Sequence, residues 1–233
     1  LISGGRRHLL GLNALRWINR LAHLGRANTE ANSRRNIHDH YDLGNEFYAL
    51  FLDPTMTYSS ARFERPDQSL EEAQAAKYAA LCSKLRLHPG DHVLEIGCGW
   101  GGFAEHAAKR HGCRVTGVTI SERQHAYAVE RIARAGLADR VSILLQDYRR
   151  ITGRFTKIAS IEMIEAVGER FLDAFFRRCD ELLEPGGLLG VQVILCPDPR
   201  YPLLRRGVDW IQRRIFPGSL LPSVARLTEA TRR

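Results

Sequence analysis

The sequence of 233 residues lacks several features that would assign it to a class at once. It has no apolar run of the ~18 residues that a membrane-spanning helix needs, and no secretory signal is visible. Its five cysteines are scattered and form no CxxC pair, which argues against a disulfide framework or a zinc site. We therefore expect no bound metal, buried free cysteines, a reducing compartment and a cytoplasmic protein.

Positive charge is abundant but unevenly spread along the chain, which carries a net charge of +8. Residues 1–40 hold seven arginines against two acidic residues, and residues 200–233 hold eight against two. The middle of the chain is slightly acidic, and apolar content of 44% is ordinary for a folded domain. Two basic ends predict an anionic partner, either lipid headgroups or nucleic acid.

The first 90 residues divide into two predicted segments. Over residues 6–26 apolar side chains recur at helical spacing among arginines, so we assign 1–36 to a basic amphipathic helix and a polar linker. This helix either docks on the protein or lies on an anionic membrane. Residues 37–90 are predicted to form a helical lid on the substrate side, with a helix over 70–85 that begins at a capping box of Ser69 and Glu72.

Strands and helices alternate with short connections over residues 91–196, the predicted core domain. Alternation of this kind predicts an α/β fold, in which a parallel sheet carries helices on both faces. A helix after Ser121 and a single helix over 169–183 are among the predicted connections. The predicted strands are 92–97, 113–120, 140–147, 157–164 and 187–195.

A glycine-rich turn, VLEIGCGWGG over residues 93–102, follows the first predicted strand. Glycine lets the backbone turn sharply and approach a ligand closely, and ligands bind beyond the carboxyl ends of parallel strands. The spacing is GxGxG, with Glu95 two residues before the first glycine. It resembles the first motif of class I S-adenosylmethionine-dependent methyltransferases more than the GxGxxG of nicotinamide-binding proteins, which remain the alternative.

Further motifs extend this resemblance over about four fifths of the chain. The chain is similar to cyclopropane-fatty-acyl-phospholipid synthases and mycolic acid cyclopropane synthases in RRNIHDHYDLGNEFY, FLDPTMTYSS, LEIGCGWGGFAEHAA, VTGVTISERQ, LLQDYR, MIEAVG and IFPGSLLPSV. The resemblance implies methyl transfer from S-adenosyl-L-methionine to the cis double bond of an unsaturated phospholipid acyl chain. Ring closure to a cyclopropane would follow, with bicarbonate as the base. It also implies a peripheral position on an anionic membrane surface.

The resemblance also assigns roles to individual residues. Glu165 matches a glutamate that orients the bicarbonate, with Ser60, Gln192 and the Ile194 backbone as its expected companions. Asp147 is expected to accept a hydrogen bond from the adenine amino group of the cofactor. The alternative is that it only caps a turn or a helix. The remaining expected cofactor contacts are Tyr41, Tyr58, Ser59, Leu94, Glu95, Gly97, Cys98, Gly99, Trp100, Gly101, Gly102, Thr119, Ile120, Gln124, Gln146, Tyr148, Arg149 and Glu162.

The sequence departs from the family's commonest pattern in the residues around the expected base. Ser60, Ala166 and Gln192 stand where the family often has Cys, His and His, although Ser and Gln can still hydrogen-bond an anion. The second strand ends without the usual ribose-binding acid, so Thr119 and Gln124 are expected to replace it. Methyl or methylene branching and small-molecule N-methylation therefore remain alternatives to ring formation.

Two further expectations concern the whole chain. It begins with Leu1, and only 38 residues follow Leu195, too few for the sixth and seventh strands of a class I methyltransferase. We expect 197–233 to be a truncated family insertion and the chain as it stands to have little or no activity.

A non-enzymatic module that binds nucleic acid through the basic ends is the remaining alternative, but aromatic residues are too sparse there to favour it. We therefore expect no nucleic-acid partner and leave a homodimer open.

Overall fold

The structure is a computed structural model that describes residues 29, 32, 44–208, 210–216 and 218–232. Tyr41 and nearly all of the predicted amphipathic helix and linker lie outside the described residues. Among the described residues, no helix combines the length and the apolarity needed to cross a bilayer.

Five parallel strands form one sheet in the described part of the chain, in the order β3–β2–β1–β4–β5. The chain adds strands on one side of β1 and then returns to pair β4 on its other side. This reversal opens a crevice at the carboxyl ends of β1 and β4, where parallel α/β sheets bind ligands. The strands are β1 (His92–Ile96), β2 (Arg114–Thr119), β3 (Val141–Leu145), β4 (Phe155–Ile161) and β5 (Leu183–Gln192).

Helices cover both faces of the sheet, which confirms the predicted fold class. Val93 of β1 packs among the helices that precede and follow β1 in the chain, whereas Leu94 packs on the opposite face against Phe175. The α-helices are α1 (Asn45–Ala49), α2 (Leu70–Leu85), α3 (Gly102–His111), α4 (Glu122–Arg134), α5 (Ile164–Val167), α6 (Leu172–Leu182), α7 (Tyr201–Arg206), α8 (Trp210–Arg214) and α9 (Val224–Ala230).

Two predicted helix starts are confirmed by their capping bonds. At α2 the Ser69 hydroxyl accepts from the Glu72 amide at 3.2 Å, and the Glu72 carboxylate accepts from the Ser69 amide at 2.8 Å. At α4 the Ser121 hydroxyl accepts from the Gln124 amide at 3.3 Å. Each bond satisfies a backbone donor that the first turn of a helix leaves without a partner.

The chain between β4 and β5 differs from the prediction of one strand over 157–164 and one helix over 169–183. β4 ends at Ile161, because Glu162 adopts a left-handed backbone conformation with φ of 49°. Gly168, with φ of 78°, separates α5 from a 3₁₀ turn at Glu169–Phe171 and from α6. β5 ends at Gln192 rather than 195, so Ile194 lies in the loop beyond it.

The C-terminal segment packs back onto the connection between β4 and β5. Arg226 of α9 bonds Glu169 at 3.1 Å and Asp173 at 2.7 Å with a largely buried guanidinium. The Leu220 amide donates to the Glu165 carbonyl at 2.9 Å. The segment predicted as a family insertion therefore supports the backbone that carries Glu165.

Candidate functional site

The glycine-rich turn between β1 and α3 brings the backbone to the reversal point of the sheet. Gly97 has φ of 82°, and a Cβ added there would lie 2.8 Å from Met163 Cγ. Gly99 has φ of 51°, and a Cβ added there would meet no atom within 4 Å. The fold itself thus requires glycine at 97, whereas Gly99 borders open space.

A cavity lies at the carboxyl ends of the strands, above this turn, and is called the main cavity below. Its wall is formed by residues from 57–60, named the TYSS segment below, from the ends of β1 to β4 and from α5. The predicted cofactor contacts that line it are Tyr58, Ser59, Glu95, Gly97, Cys98, Gly99, Trp100, Gly102, Thr119, Ile120, Gln124, Gln146, Asp147, Tyr148, Arg149 and Glu162.

Two of the predicted cofactor contacts do not reach the wall of the main cavity. Leu94 is fully buried between the sheet and the helices, since alternate residues of β1 point to opposite faces. Gly101 is the N-cap of α3, and a Cβ there would meet Ala128 at 3.1 Å, so its role is close packing of α3 on α4.

Glu95 is a buried carboxylate in the cavity wall, with 3% of its surface exposed. No residue of the described chain donates to its buried Oε2. Burial raises the pKa of the Glu95 carboxyl well above its usual range, and only the Ala104 amide, Arg131 and Lys77 oppose this. A carboxylate that is buried with an open acceptor indicates a site for a polar or cationic ligand group.

Short-range pairs organise the ends of β2 and β3. Asp147 accepts from Arg149 through both oxygens, at 2.8 Å from Nε and 2.6 Å from Nη2, and also from the Arg149 amide at 3.0 Å. Thr119 donates its hydroxyl to Gln124 Oε1 at 2.8 Å. The residues predicted to hold adenine and ribose are therefore held in place by neighbours two and five positions away.

An aromatic group forms another part of the site. Tyr48 packs against Tyr58 and Trp100, with ring centroids 5.3 and 5.2 Å away. The Trp100 indole donates to Asn45 at 2.8 Å, which fixes its orientation. Tyr58 and Trp100 both line the main cavity, and aromatic faces attract a ligand cation that comes within about 6 Å.

Helix α2 holds the TYSS segment against the cavity. Lys77 donates to the Ser59 hydroxyl at 2.6 Å, and Gln74 donates to the Ser59 carbonyl at 2.8 Å. Both side chains are buried, with 3% and 2% exposed. Burial lowers the pKa of the Lys77 ammonium to about 8, against the charges of Glu162, Asp53 and Glu95, which raise it. The sequence shows no sign of this role, since Lys77 reads as an ordinary helix residue.

Ser60, Glu162 and Gln192 form one hydrogen-bonded cluster, named the carboxylate cluster below. Glu162 Oε1 accepts from the Ser60 amide at 2.9 Å, from the Ser60 hydroxyl at 2.5 Å and from Gln192 Nε2 at 2.9 Å. Gln192 also donates to the Ser60 carbonyl at 3.1 Å. Two of the predicted companions of Glu165 thus meet Glu162 instead.

Glu165 lies beyond the wall of the main cavity, next to the Ala166 that lines it. Its Oε1 accepts from the Ile194 amide at 2.5 Å, which brings together two of the residues predicted for the base site. Its Oε2 is buried and accepts no bond from the described residues. Burial raises the pKa of the Glu165 carboxyl to about 7, with a smaller contribution from the Glu162 charge.

Several residues in the cavity wall were not predicted. The apolar ends of the strands could have been anticipated, because every buried parallel strand delivers side chains to that edge. Phe216 and Ser219 could not, since only the packing of the C-terminal segment brings them there. The unpredicted residues are Met56, Thr57, Tyr78, Ile96, Val118, Ile161, Met163, Ala166, Val167, Phe171, Phe216 and Ser219.

Comparison with known proteins identifies relatives for nearly the whole described chain. The family model described as mycolic acid cyclopropane synthetase matches residues 28–233. The tuberculostearic acid methyltransferase UfaA1 of Mycobacterium tuberculosis is 43% identical over 206 residues, which are 85% of this chain and 48% of the relative. The cyclopropane-fatty-acyl-phospholipid synthase of Escherichia coli K12 is 42% identical over 199 residues, 83% of this chain and 48% of the relative.

A solved structure agrees with the fold as well as with the sequence. The mycolic acid cyclopropane synthase CmaA1, in a complex with SAH and CTAB, superposes with a TM-score of 0.78 at 34% identity. The match covers 84% of this chain and 72% of that one. The present chain spans about half the length of the two relatives named above.

Proposed function

The chain belongs to the mycolic acid cyclopropane synthetase family, and on that premise we propose that its main cavity binds S-adenosyl-L-methionine for methyl transfer to an unsaturated lipid acyl chain. The observation that carries the proposal is the meeting of the glycine-rich turn, Asp147 and Glu162 on one cavity wall, with Glu165 directly behind it. The names of the family members support a lipid substrate, and a phospholipid is the one we propose.

The residues present fit the cofactor. Open space beside Gly99 would accommodate its close approach to the backbone, and the carboxylate of Glu95 has an open acceptor for its amino group. Asp147 and the Thr119–Gln124 pair offer acceptors for the adenine amino group and the ribose hydroxyls. Tyr58 and Trp100 present aromatic faces suited to a sulfonium.

When bound, the cofactor would supply an electrophilic methyl group to the π pair of the alkene, with its sulfur as the leaving group that keeps the electrons of the S–C bond. The protein's task is to align the alkene with that methyl and to keep water from the carbocation that results within the acyl chain. The apolar part of the wall, Ile161, Met163 and Val167, suits both tasks. Ring closure then needs a base that removes one proton from the transferred methyl.

We assign the orientation of that base to Glu165. Because the pKa of its carboxyl is raised to about 7, a large fraction of Glu165 carries a proton at neutral pH and can donate from Oε2, which is buried and accepts no bond from the described residues. A bicarbonate would accept from this carboxyl and from the Ile194 amide, which now donates to Glu165 Oε1. The donors of Ser60 and Gln192 lie in the adjacent carboxylate cluster.

Methyl or methylene branching is the second candidate product. One relative at 43% identity carries the name tuberculostearic acid methyltransferase, and Ser60, Ala166 and Gln192 depart from the family's commonest residues beside the base. The two products share the methyl transfer and differ in how the carbocation in the acyl chain is converted to a neutral product. The product is therefore the quantity to be measured.

Expression of the full-length protein in a host that makes unsaturated phospholipids tests the proposal. We expect fatty acid methyl esters from these cells to contain a cyclopropane chain that cells with the Glu165→Gln variant lack. A branched chain in its place would select the second candidate. No modified chain, from a folded protein, would refute lipid methylation.

We further propose that the protein sits peripherally on anionic membranes. The basic residues of 1–40 and 200–233 support this, because each Lys or Arg near an anionic surface contributes about 1 kcal/mol. Co-sedimentation with anionic vesicles should fail at high salt. Equal binding to neutral and anionic vesicles would contradict the proposal.

A further inference from the structure

Glu162 has a backbone conformation that its side chain does not favour. It is one of three described non-glycine residues with positive φ, the others being Met56 and Arg86. The left-handed conformation costs a residue with a Cβ about 1 kcal/mol or more, and glycine would avoid that cost. The Glu162 amide is held there by the Gln192 carbonyl at 2.8 Å. Strain of this kind, held in place by the surrounding structure, is characteristic of functional positions.

The two carboxylate oxygens of Glu162 have different surroundings. Oε1 accepts all three bonds of the carboxylate cluster, so the side chain is fixed. No residue within the described ranges donates a hydrogen bond to Oε2, and Glu162 stands in the cavity wall between Ile161 and Met163. One oxygen is thus anchored, and the other is left for a ligand.

The charge of Glu162 is not neutralised by an ion pair within the described part of the chain. The Glu162 charge acts on the buried ammonium of Lys77, but that ammonium donates its hydrogen bond to Ser59. The Glu162 charge nevertheless reaches its neighbours, since it acts together with burial to raise the pKa of Tyr58 and that of Glu165. The carboxylate therefore sets a negative potential at this part of the main cavity.

A purely supporting role does not account for these features together. A glutamine at this position could accept the same bonds from Ser60 and Gln192 without placing a charge in the cavity wall. A glycine would remove the backbone strain. Strain, a rigid anchor and a negative charge without an ion pair in the described chain are expected together where a preorganised group must stabilise positive charge.

We propose that Glu162 is a further catalytic residue, whose Oε2 faces the positive charge that passes from the cofactor's sulfur to an alkene carbon of the acyl chain during methyl transfer. This rests on the function proposed above and adds a residue to it. Glu162 takes and gives no proton in this role. The bonds to Oε1 attach Glu162 to Ser60 of the TYSS segment. Lys77 and Gln74 of α2 bond Ser59 of the same segment and so fix its position.

Binding rather than turnover gives the sharpest test, because S-adenosylmethionine carries the sulfonium charge and S-adenosylhomocysteine does not. By titration calorimetry, Glu162→Gln should bind S-adenosylmethionine about tenfold more weakly than wild type and S-adenosylhomocysteine within about twofold. A merely structural role would weaken both ligands alike. Equal losses, or no loss, would overturn the proposal.

Two further variants complete the experiment. Glu162→Gly suits φ of 49° and should show the same selective loss of affinity for S-adenosylmethionine, which covers a failure of Glu162→Gln to fold. Glu184→Gln removes an equal charge from an exposed site near the start of β5 and should leave the ratio of the two affinities unchanged. Wild type that binds neither ligand would refute the proposed function itself, and this inference with it.

Discussion

The two sides of the main cavity hold their polar groups in different ways. Beyond β2 and β3, Asp147 pairs with Arg149, and Thr119 pairs with Gln124. The partners in each pair lie close together in the sequence. Beyond β4 and β5, Glu162 bonds Ser60 across 102 positions of the chain, and Gln192 bonds Ser60 across 132. The first side is set by local structure, and the second exists only once three distant segments have come together.

This difference predicts that substitutions on the two sides will have different effects. Local pairs persist as long as their strand and turn are formed, so substitutions there should alter ligand affinity alone. The carboxylate cluster and the Glu165–Ile194 bond depend on the TYSS segment, on β5 and on the C-terminal segment at once. Substitutions there should alter turnover, stability and pH dependence together.

The largest effect is expected from Glu165→Gln on the second side. Turnover should fall about 100-fold or more, because the oriented acid–base group is lost, while cofactor affinity stays within about twofold. Steady-state rates with vesicles of unsaturated phospholipid, beside calorimetry, separate the two quantities. A fully active variant would remove Glu165 from the mechanism.

The next effect is a pH dependence of stability that originates in the same residue. Burial raises the pKa of Glu165 to about 7 from an ordinary value near 4.5, so between these values the folded protein binds more protons than the unfolded one. The free energy of unfolding should fall as pH rises through this window, by up to about 3 kcal/mol. Melting curves at pH 5 and pH 8 should show this fall in wild type and a smaller one in Glu165→Gln. Identical slopes would contradict the assignment.

A matched pair of glycine substitutions probes the boundary between the two sides. Gly97→Ala should destabilise the fold by about 2 kcal/mol, because a Cβ would lie 2.8 Å from Met163 and the left-handed backbone would be strained. Gly99→Ala meets open space and should cost about 1 kcal/mol from the backbone alone. Chemical denaturation measures both. Equal losses would show that Met163 does not crowd the turn.

A smaller effect than that of Gly97→Ala is expected on the first side, from Asp147→Asn. The amide loses the ion pair with Arg149 and one acceptor, so the affinity for S-adenosylhomocysteine should fall about tenfold. The pH dependence of stability around Glu165 should not change, because burial, backbone hydrogen bonds and the Glu162 charge set the pKa of that carboxyl. Unaltered affinity in calorimetry would place adenine elsewhere.

The same contrast explains which parts of the molecule could be predicted from the sequence. The parallel sheet, the capping box at Ser69 and the turn before Gly99 follow from local patterns, and all three are present. Beside Gly168, the short helix α5 and the 3₁₀ turn at Glu169–Phe171 were missed, because residues 169–183 have a helical pattern throughout and α6 begins only at Leu172. The end of β4 was missed because apolar residues continue on both sides of Glu162, as far as Ile164.

The candidate site was predicted best where it is local. The wall around Gly97–Gly102 and Asp147 could be assigned from contiguous motifs. The partnership of Ser60 with Glu162 rather than Glu165, and the approach of Phe216, depend on tertiary packing that no single window of sequence encodes.

The most direct measurement of the central claim uses S-adenosylmethionine with a trideuterated methyl group, the full-length protein and vesicles of unsaturated phospholipid. We predict acyl chains that have gained the label, have retained two of its three deuteriums and have lost the double bond, because the base removes one deuteron as the ring closes. A folded protein that binds the cofactor yet leaves the acyl chains unlabelled would contradict the account.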